Sequence, residues 1–397
     1  MGAASKLSLR YYGNHIKAIN IPAEGDTIMK NMKKKQARKW GAGIVAAGVL
    51  LGGGLLPAEA GQAAAAAVQA VQSKAGQSLV VLKVNGTITP QTGMVREGKV
   101  WVPVTFLRDS LGMPLTYDKA EKAYTIGKGT AKVKLTVSEY ENSISVNNFY
   151  LNEYEGKNIN NRLFVPFDLI SDFLGYKGDW NAASGRLNVV SKPQNAITIK
   201  TESIVKDHKD APVKLDYPQV SGLANAAAQK TINDTIKQTF TKFAAEAEKE
   251  IANKPSDDRP YEYDGGYVIT YNQDGILSLI TQHYEYNGGA HGMTYRNAFT
   301  FSLKDGKRLL IGDVLKANPN YKKELNAKLS KLIKADGGYL GGFNGLNTEK
   351  NFYVKDGKMV VFFQLYEYTA YAAGFPQFEF TFKELLPSGS SPFAGLK

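Results

Sequence analysis

The residues with the most chemistry to offer are four histidines, His15, His208, His283 and His291, and two stretches crowded with tyrosine and carboxylate. His291 sits in Asn287-Gly288-Gly289-Ala290-His291-Gly292, where glycines would let backbone approach a ligand closely. A general base needs a neighbour that orients it, and this loop holds no Ser, Asp or Glu. Seven residues separate His283 from His291, not a usual metal-ligand spacing, and the chain has no His-x-His pair and no cysteine. On a strand, His283 would share a face with Leu277 and Leu279, which predicts a buried or edge position. The expectation is no catalytic residue, no metal and no cofactor. His291 is left to shape its loop or to touch a partner. Gly338, Gly341, Gly342 and Gly345 read as a flexible loop, since no phosphate-binding helix start follows them.

Contact with a partner is the chemistry these residues suit better. Between Pro255 and Tyr295 stand Asp257, Asp258, Glu262, Asp264, Asp274 and Glu285 against Arg259 alone. Tyr261, Tyr263, Tyr267, Tyr271, Tyr284, Tyr286 and Tyr295 interleave them. Tyrosine gives rigid contact area, and complementary charge speeds encounter with a basic partner. The plainer alternative makes half of these tyrosines core and the acids solvated strand positions. The expected contact residues come from two loops and their flanks. One set is Tyr284, Glu285, Tyr286, Asn287, Gly288, Gly289 and His291. The other is Tyr366, Glu367, Tyr368, Tyr371 and Phe375.

The elements that must hold these loops begin after a leader. Lys33-Lys34-Lys35-Gln36-Ala37-Arg38-Lys39, an apolar run from Gly41 to Leu56 and Ala58-Glu59-Ala60 form a secretory signal pattern. The run is short and glycine-rich for a spanning helix, so cleavage is expected over anchoring. Residues 1–28 lie oddly ahead of such a signal, and translation is expected to start at Met29 or Met32. With residues 1–60 set aside, the formal charge of +12 falls to +6, because they hold nine Lys/Arg and three Asp/Glu. That mild excess suits anionic wall polymers. No basic cluster with interleaved aromatics supports nucleic acid as a partner, and no later apolar run spans a membrane. The expected organisation is leader 1–60, Ala/Gln-rich linker 61–79, repeat module 80–192, binding domain 193–387 and tail 388–397.

The repeat is visible when the chain is compared with itself. Val102-Pro103 matches Val165-Pro166, Leu111-Gly112 matches Leu174-Gly175, and Tyr117-Asp118 matches Trp180-Asn181, each at a shift of 63. Val84-Asn85-Gly86 matches Val146-Asn147-Asn148 at 62. Val104, Leu107 and Leu111, repeated as Phe167, Ile170 and Leu174, predict one helical stripe, with Leu-Gly closing each helix. Turn, cap and core account for Asn85, Pro103, Gly112, Trp180 and their counterparts. The doubled pattern resembles the stalk domain named for the N-terminal part of copper amine oxidases. The resemblance implies a display module of secreted and wall proteins of Gram-positive bacteria. Oxidase chemistry in that family belongs to a separate domain with clustered copper ligands.

Beyond Ser191-Lys192-Pro193, alternation predicts strands at Ala196 to Lys200 and Val213 to Tyr217. A helix is predicted from about Ser221, with Ile232, Ile236, Phe240, Phe243, Ala247 and Ile251 on one face, stopped at Lys254-Pro255. Strands follow near Tyr261 to Tyr271, Ile276 to Tyr286 and Thr294 to Leu303. The Asn272-Gln273-Asp274-Gly275 turn joins the first two. A second helix carries Tyr321, Leu325, Leu329 and Leu332 or Ile333. Strands at Met359 to Tyr366 and Gln377 to Phe382 close the fold. The class is α+β: a tandem-repeat β-rich stalk with short helices, then a mainly antiparallel sheet packed with two amphipathic helices.

Tyr217-Pro-Gln-Val-Ser-Gly-Leu223, Tyr286-Asn-Gly-Gly-Ala-His-Gly292 and Tyr366-Glu-Tyr-Thr-Ala-Tyr-Ala-Ala-Gly374 carry a second resemblance. From about 196 to 387 the chain is similar to the extracellular domain of the lysozyme-sensing anti-sigma factor of bacilli. The same module precedes the catalytic domain of some peptidoglycan deacetylases. The resemblance implies a receptor surface for a secreted protein, with lysozyme as precedent. Neither a sigma-binding segment nor the deacetylase Asp/His motif is expected here. The expected function is thus a secreted or wall-associated, non-enzymatic binding protein. Recognition of peptidoglycan or teichoic-acid sugars is the alternative, and an accessory or catalytic role in wall-polymer modification the third.

Overall fold

The computed structural model describes residues 8–12, 15–19, 78–138, 142–255, 259–393 and 395. The leader pattern, Met29, Met32, nearly all of the 61–79 linker, and Asp257 and Asp258 of the acidic segment lie outside the described residues. The chain divides into two units, Met1–Ser78 and Leu79–Lys397. In the first, β1 (Ser8–Tyr12) and β2 (His15–Ile19) form an antiparallel hairpin. The second holds the remaining elements and is α+β, mostly sheet.

The repeat reads directly into structure. The first unit runs β3 (Ser78–Val84), β4 (Thr87–Arg96), β5 (Lys99–Pro103), α1 (Val104–Asp109), β6 (Leu115–Asp118) and β7 (Ala123–Lys128). After the extra strand β8 (Ala131–Val137) come β9 (Asn142–Val146), β10 (Phe149–Glu155), β11 (Lys157–Ile159), β12 (Arg162–Pro166), α2 (Phe167–Phe173), β13 (Tyr176–Asn181) and β14 (Arg186–Ser191). Asn85-Gly86 and Asn147-Asn148 take positive φ at both central residues, the hairpin geometry that follows strand twist. Pro103 and Pro166 precede α1 and α2, with φ fixed near the value each helix start needs. Gly112 and Gly175 close the helices at φ 65° and 77°.

The two repeats exchange strands. The seven-stranded sheet runs β11-β12-β5-β4-β3-β14-β13, and the five-stranded sheet β10-β9-β8-β7-β6. Each repeat therefore lends its closing hairpin to the sheet holding the other's opening hairpin. At the centre, β5 and β12 pair antiparallel with Val102 opposite Val165. Equivalent residues face each other there, as a local two-fold axis requires. Tyr117 and Trp180 fall on the outer strands β6 and β13, 51% and 36% exposed. Those two aromatics are edge residues, a correction to the expectation of core.

In the C-terminal part, β15 (Thr198–Lys206), β16 (Val213–Ser221), β17 (Glu262–Gln273), β18 (Ile276–Tyr286) and β19 (Met293–Ser302) form one sheet in chain order. Only β16 and β17 pair parallel. The helix between them, α3 (Ala226–Ala252), starts five residues later than Ser221 because Asn225 caps it, accepting from Ala227 N and Ala228 N. Its buried stripe is Ile232, Ile236, Phe240, Phe243 and Ala247. These side chains pack on Val213, Leu215, Tyr217, Leu279 and Phe299. Each buried ring contributes roughly 2–3 kcal/mol of apolar burial.

The expected second helix covers a different sheet. After α4 (Ile311–Val314), α5 (Tyr321–Lys334) puts Leu325, Leu329 and Ile333 into a core with Phe343, Phe352, Phe363 and Phe380. That core belongs to a three-stranded sheet, β20 (Phe352–Lys355), β21 (Lys358–Phe362) and β22 (Gln377–Thr381), followed by α6 (Phe382–Leu385). In the five-stranded sheet, β18 is buried on both faces from Ile276 to His283 and so needs cover on each. α3 covers one face. The other meets the repeat module and β20, whose Val354 N–H donates to Ser278 Oγ at 3.0 Å.

The segment after the repeats is clamped. Lys192 Nζ donates to Ser171 O at 2.7 Å, and Asn195 Oδ1 accepts from Gly275 N at 2.8 Å. Val268, Ile280, Ala298, Tyr353, Val360 and Phe362 join the core of the repeat module. Among the described residues, no helix is long and apolar enough to cross a membrane.

Candidate functional site

Two loops meet at the far end of this sheet. The first, 287–292, joins β18 to β19. Tyr286 Oη donates to Gly289 O at 3.0 Å, and Tyr263 Oη donates to Asn287 Oδ1 at 2.5 Å, so strand tyrosines hold both ends of the turn. A Cβ on Gly292 would collide with the Tyr284 ring, so only glycine lets the loop lie down on that tyrosine. The second loop, 363–376, joins β21 to β22. Glu367 shapes it, accepting from Gln364 N and from Asn347 Nδ2, each at 2.8 Å.

The contact between the loops is aromatic. His291 stacks on Tyr371, with ring centroids 4.4 Å apart at 29°. Tyr366 Oη lies 3.2 Å from His291 Nε2, and Tyr371 Oη donates to Gly292 O at 3.0 Å. His291 Nδ1 lies 2.8 Å from Gly292 O, so that nitrogen carries the proton in the neutral ring. Nε2 then accepts from Tyr366, and the imidazole is occupied at both nitrogens. This arrangement fixes a surface. Tyr366 adopts φ +63° while 48% exposed. A bulky residue in the left-handed region costs about 1–3 kcal/mol, and such strain gathers at functional positions.

The other expected contact residues divide. Tyr284 and Tyr286 lie half-buried under the cluster. Burial first, then the charge of Glu262, pushes the Tyr284 hydroxyl upward. Gly288, at φ 78°, supplies the bend of the first loop. Glu285 is on the opposite face of β18, since alternate residues of a strand point to opposite sides, and it accepts from Tyr295 Oη at 2.9 Å. Tyr368 is core, edge-on to Phe343 and Phe363. Phe375 faces inward, 4.2 Å from the Arg296 guanidinium. Of the seven tyrosines between 255 and 295, Tyr261, Tyr263, Tyr267 and Tyr271 are buried, as the plainer alternative has it. His283 is buried against Phe240 and Phe243, and that burial lowers it to about 4.

Sequence reasoning did not single out Leu340, and it named Glu262 and Asp264 without assigning them a face. Leu340, 68% exposed, stands on the glycine loop beside the second loop, its N–H donating to Tyr368 O at 2.8 Å. Glu262 and Asp264 pair across the strands with Tyr286 and Tyr284, so they share the face of the cluster. Burial, then a hydrogen bond and charge from Asp264, push Glu262 up to about 7. Among the described residues, no three His, Asp or Glu side chains gather closely enough to hold a metal ion.

Comparison with known proteins follows the same division. Residues 83–189 match the copper amine oxidase N-terminal domain, 204–294 the deacetylase PdaC family, and 312–383 a protein family of unknown function, DUF3298. The chain thus carries a copper amine oxidase N-terminal-like domain ahead of regions similar to the PdaC family and to DUF3298. His291 and its loop fall in the deacetylase-type match, whereas Leu340 and Tyr366 to Phe375 fall in the DUF3298 match. A curated relative, peptidoglycan-N-acetylmuramic acid deacetylase PdaC of Bacillus subtilis (strain 168), is 22% identical over 192 residues. The match takes in 46% of this chain and 40% of that relative's length. Two solved DUF3298 proteins are similar. One, from Bacteroides fragilis, is 17% identical with a TM-score of 0.39, covering 52% of this chain and 99% of its own. The other, from Pseudomonas aeruginosa PAO1, is 14% identical at 0.36, covering 50% and 98%.

Proposed function

We propose that this is an exported, wall-associated protein that binds a partner without transforming it. The repeat module frames the C-terminal region, and the Leu340–Tyr366–His291–Tyr371 surface receives a secreted basic protein such as lysozyme. The observation that carries the reading is Tyr366, strained yet half exposed, locked onto His291 of a different loop. A rigid aromatic anchor with an apolar neighbour and a carboxyl pair beside it suits a basic, partly apolar partner. The leader pattern and a relative named for peptidoglycan support the extracellular address. Titration calorimetry of the full chain with lysozyme tests it. Binding heat that weakens as salt rises is expected; no heat at any salt, with no co-elution on gel filtration, would count against it.

One observation favours a second reading, wall-glycan contact by the repeat module. Tyr117 and Trp180 occupy equivalent positions of the two repeats and stay exposed on edge strands. Aromatic faces of that kind stack on sugar rings. Sedimentation with purified wall, comparing the wild type with a Tyr117→Ala, Trp180→Ala variant, separates this from protein binding.

A further inference from the structure

Arg296, on β19, is 5% exposed, and its Nε has no hydrogen-bond partner among the described residues. Burying a cation is costly, and a well-packed apolar side chain of similar volume commonly serves stability as well or better. Its surroundings suggest another task. The guanidinium lies 5.4 Å from the Phe149 ring of the repeat module and 4.2 Å from Phe375 of the second loop. Nη1 donates to Gln377 Oε1 at 3.2 Å, where that loop rejoins β22. The Arg296 main chain exchanges two hydrogen bonds with the Gln364 amide, at 3.1 and 2.7 Å, and Gln364 N binds Glu367 at the loop's start. Both ends of the loop are therefore tied to one residue.

The repeat-module side of this contact is built for docking. Asn147 and Asn148 make the tight turn just before Phe149. Asn147 O accepts from Tyr267 N at 3.2 Å, and Asn148 Nδ2 donates to Asp216 Oδ2 at 2.6 Å. A Cβ on Gly266 would strike the backbone of this turn. The equivalent turn of the first repeat, Asn85-Gly86, stays at the surface. One turn of the pair has been given over to holding the C-terminal sheet.

We infer that Arg296 is a positioning residue that couples the docked Asn147–Phe149 turn to the Tyr366–Phe375 loop, so that the repeat module sets the shape of the aromatic surface. The coupling stands on packing alone; its consequence for affinity rests on the reading of that loop as the contact surface.

Hydrogen exchange on the full chain tests it, with Arg296→Met, Phe149→Leu and Phe375→Leu beside the wild type. Each leaves an uncharged apolar side chain at its position. The expected result is exchange of the 366–376 amides faster by about tenfold or more, even from Phe149→Leu in the distant module, while α3 amides keep wild-type protection. A role in general stability would instead speed exchange in both places. Unchanged loop exchange in folded Arg296→Met overturns the inference, and so does unchanged loop exchange in folded Phe149→Leu and Phe375→Leu. Lysozyme affinity, measured alongside, is expected to fall about fivefold with the looser loop. If the wild type does not bind lysozyme, the receptor reading fails, and the exchange data still decide the coupling.

Discussion

Tyr366 concentrates the argument at the scale of single residues. Its backbone occupies a region that glycine enters freely and tyrosine does not, and its ring meets His291, Tyr371 and solvent. Tyr366→Gly is therefore expected to hold or raise stability, by up to about 1 kcal/mol of relieved strain, while removing the anchor. Scanning calorimetry reads the first effect; a drop in stability would mean the tyrosine holds the fold. Two titrating groups pull in opposite directions. Glu262 titrates near 7 when folded and near 4.5 when unfolded, so its stabilisation is present below pH 4.5 and lost as pH rises through 7. His283 titrates near 4 when folded against 6.5, so its stabilisation is present above pH 6.5 and lost as pH falls through 4. Between pH 4.5 and 6.5 the two slopes offset. Glu262→Gln should expose the histidine slope, with the melting temperature climbing as pH rises across that window. A flat profile for this variant would refute the pairing.

Among the elements, the difference between legible and hidden features has a physical cause. The 3.6-residue stripes of α3 and α5, the Pro and Gly ends of α1 and α2, and the Asp274-Gly275 turn are local, and each is readable in the sequence. The face of the carboxyl pair is not. Counting back from that turn pairs Asp264 with Glu285, whereas the bulge between Ile269 and Tyr271 shifts the register by one and pairs it with Tyr284. One extra residue moves two acids from the α3 side to the aromatic side. Thr270, the residue added, keeps a buried hydroxyl without a hydrogen-bond partner among the described residues. Leu340 was hidden for a similar reason: an apolar residue in a glycine loop has no periodicity to announce its exposure. Deleting Thr270 is expected to cost several degrees in melting temperature and to abolish any lysozyme binding by inverting the face. Retained binding in a folded deletion would contradict the role given to this register.

At the scale of the molecule, the word stalk suggests a spacer, and the unit from Leu79 to Lys397 is built otherwise. Its repeat module and C-terminal sheet share an apolar core, a Lys355–Asp172 ion pair at 2.7 Å and the Asn148–Asp216 hydrogen bond. The sequence shows a Pro-containing junction at residues 191–193 but nothing of this docking, because the contacts join residues 68 or more positions apart. A single calorimetric unfolding transition is expected for this unit, with Asp172→Asn lowering its midpoint without splitting it. Two separated transitions would show the modules to be independent.

The most direct measurement of the central claim compares lysozyme affinity of the full chain with that of the Tyr366→Ala, Leu340→Ala variant at matched thermal stability. The aromatic surface predicts a loss of about tenfold or more, carried mainly by faster dissociation. Equal affinity in the two proteins would contradict it and move the partner elsewhere on the molecule.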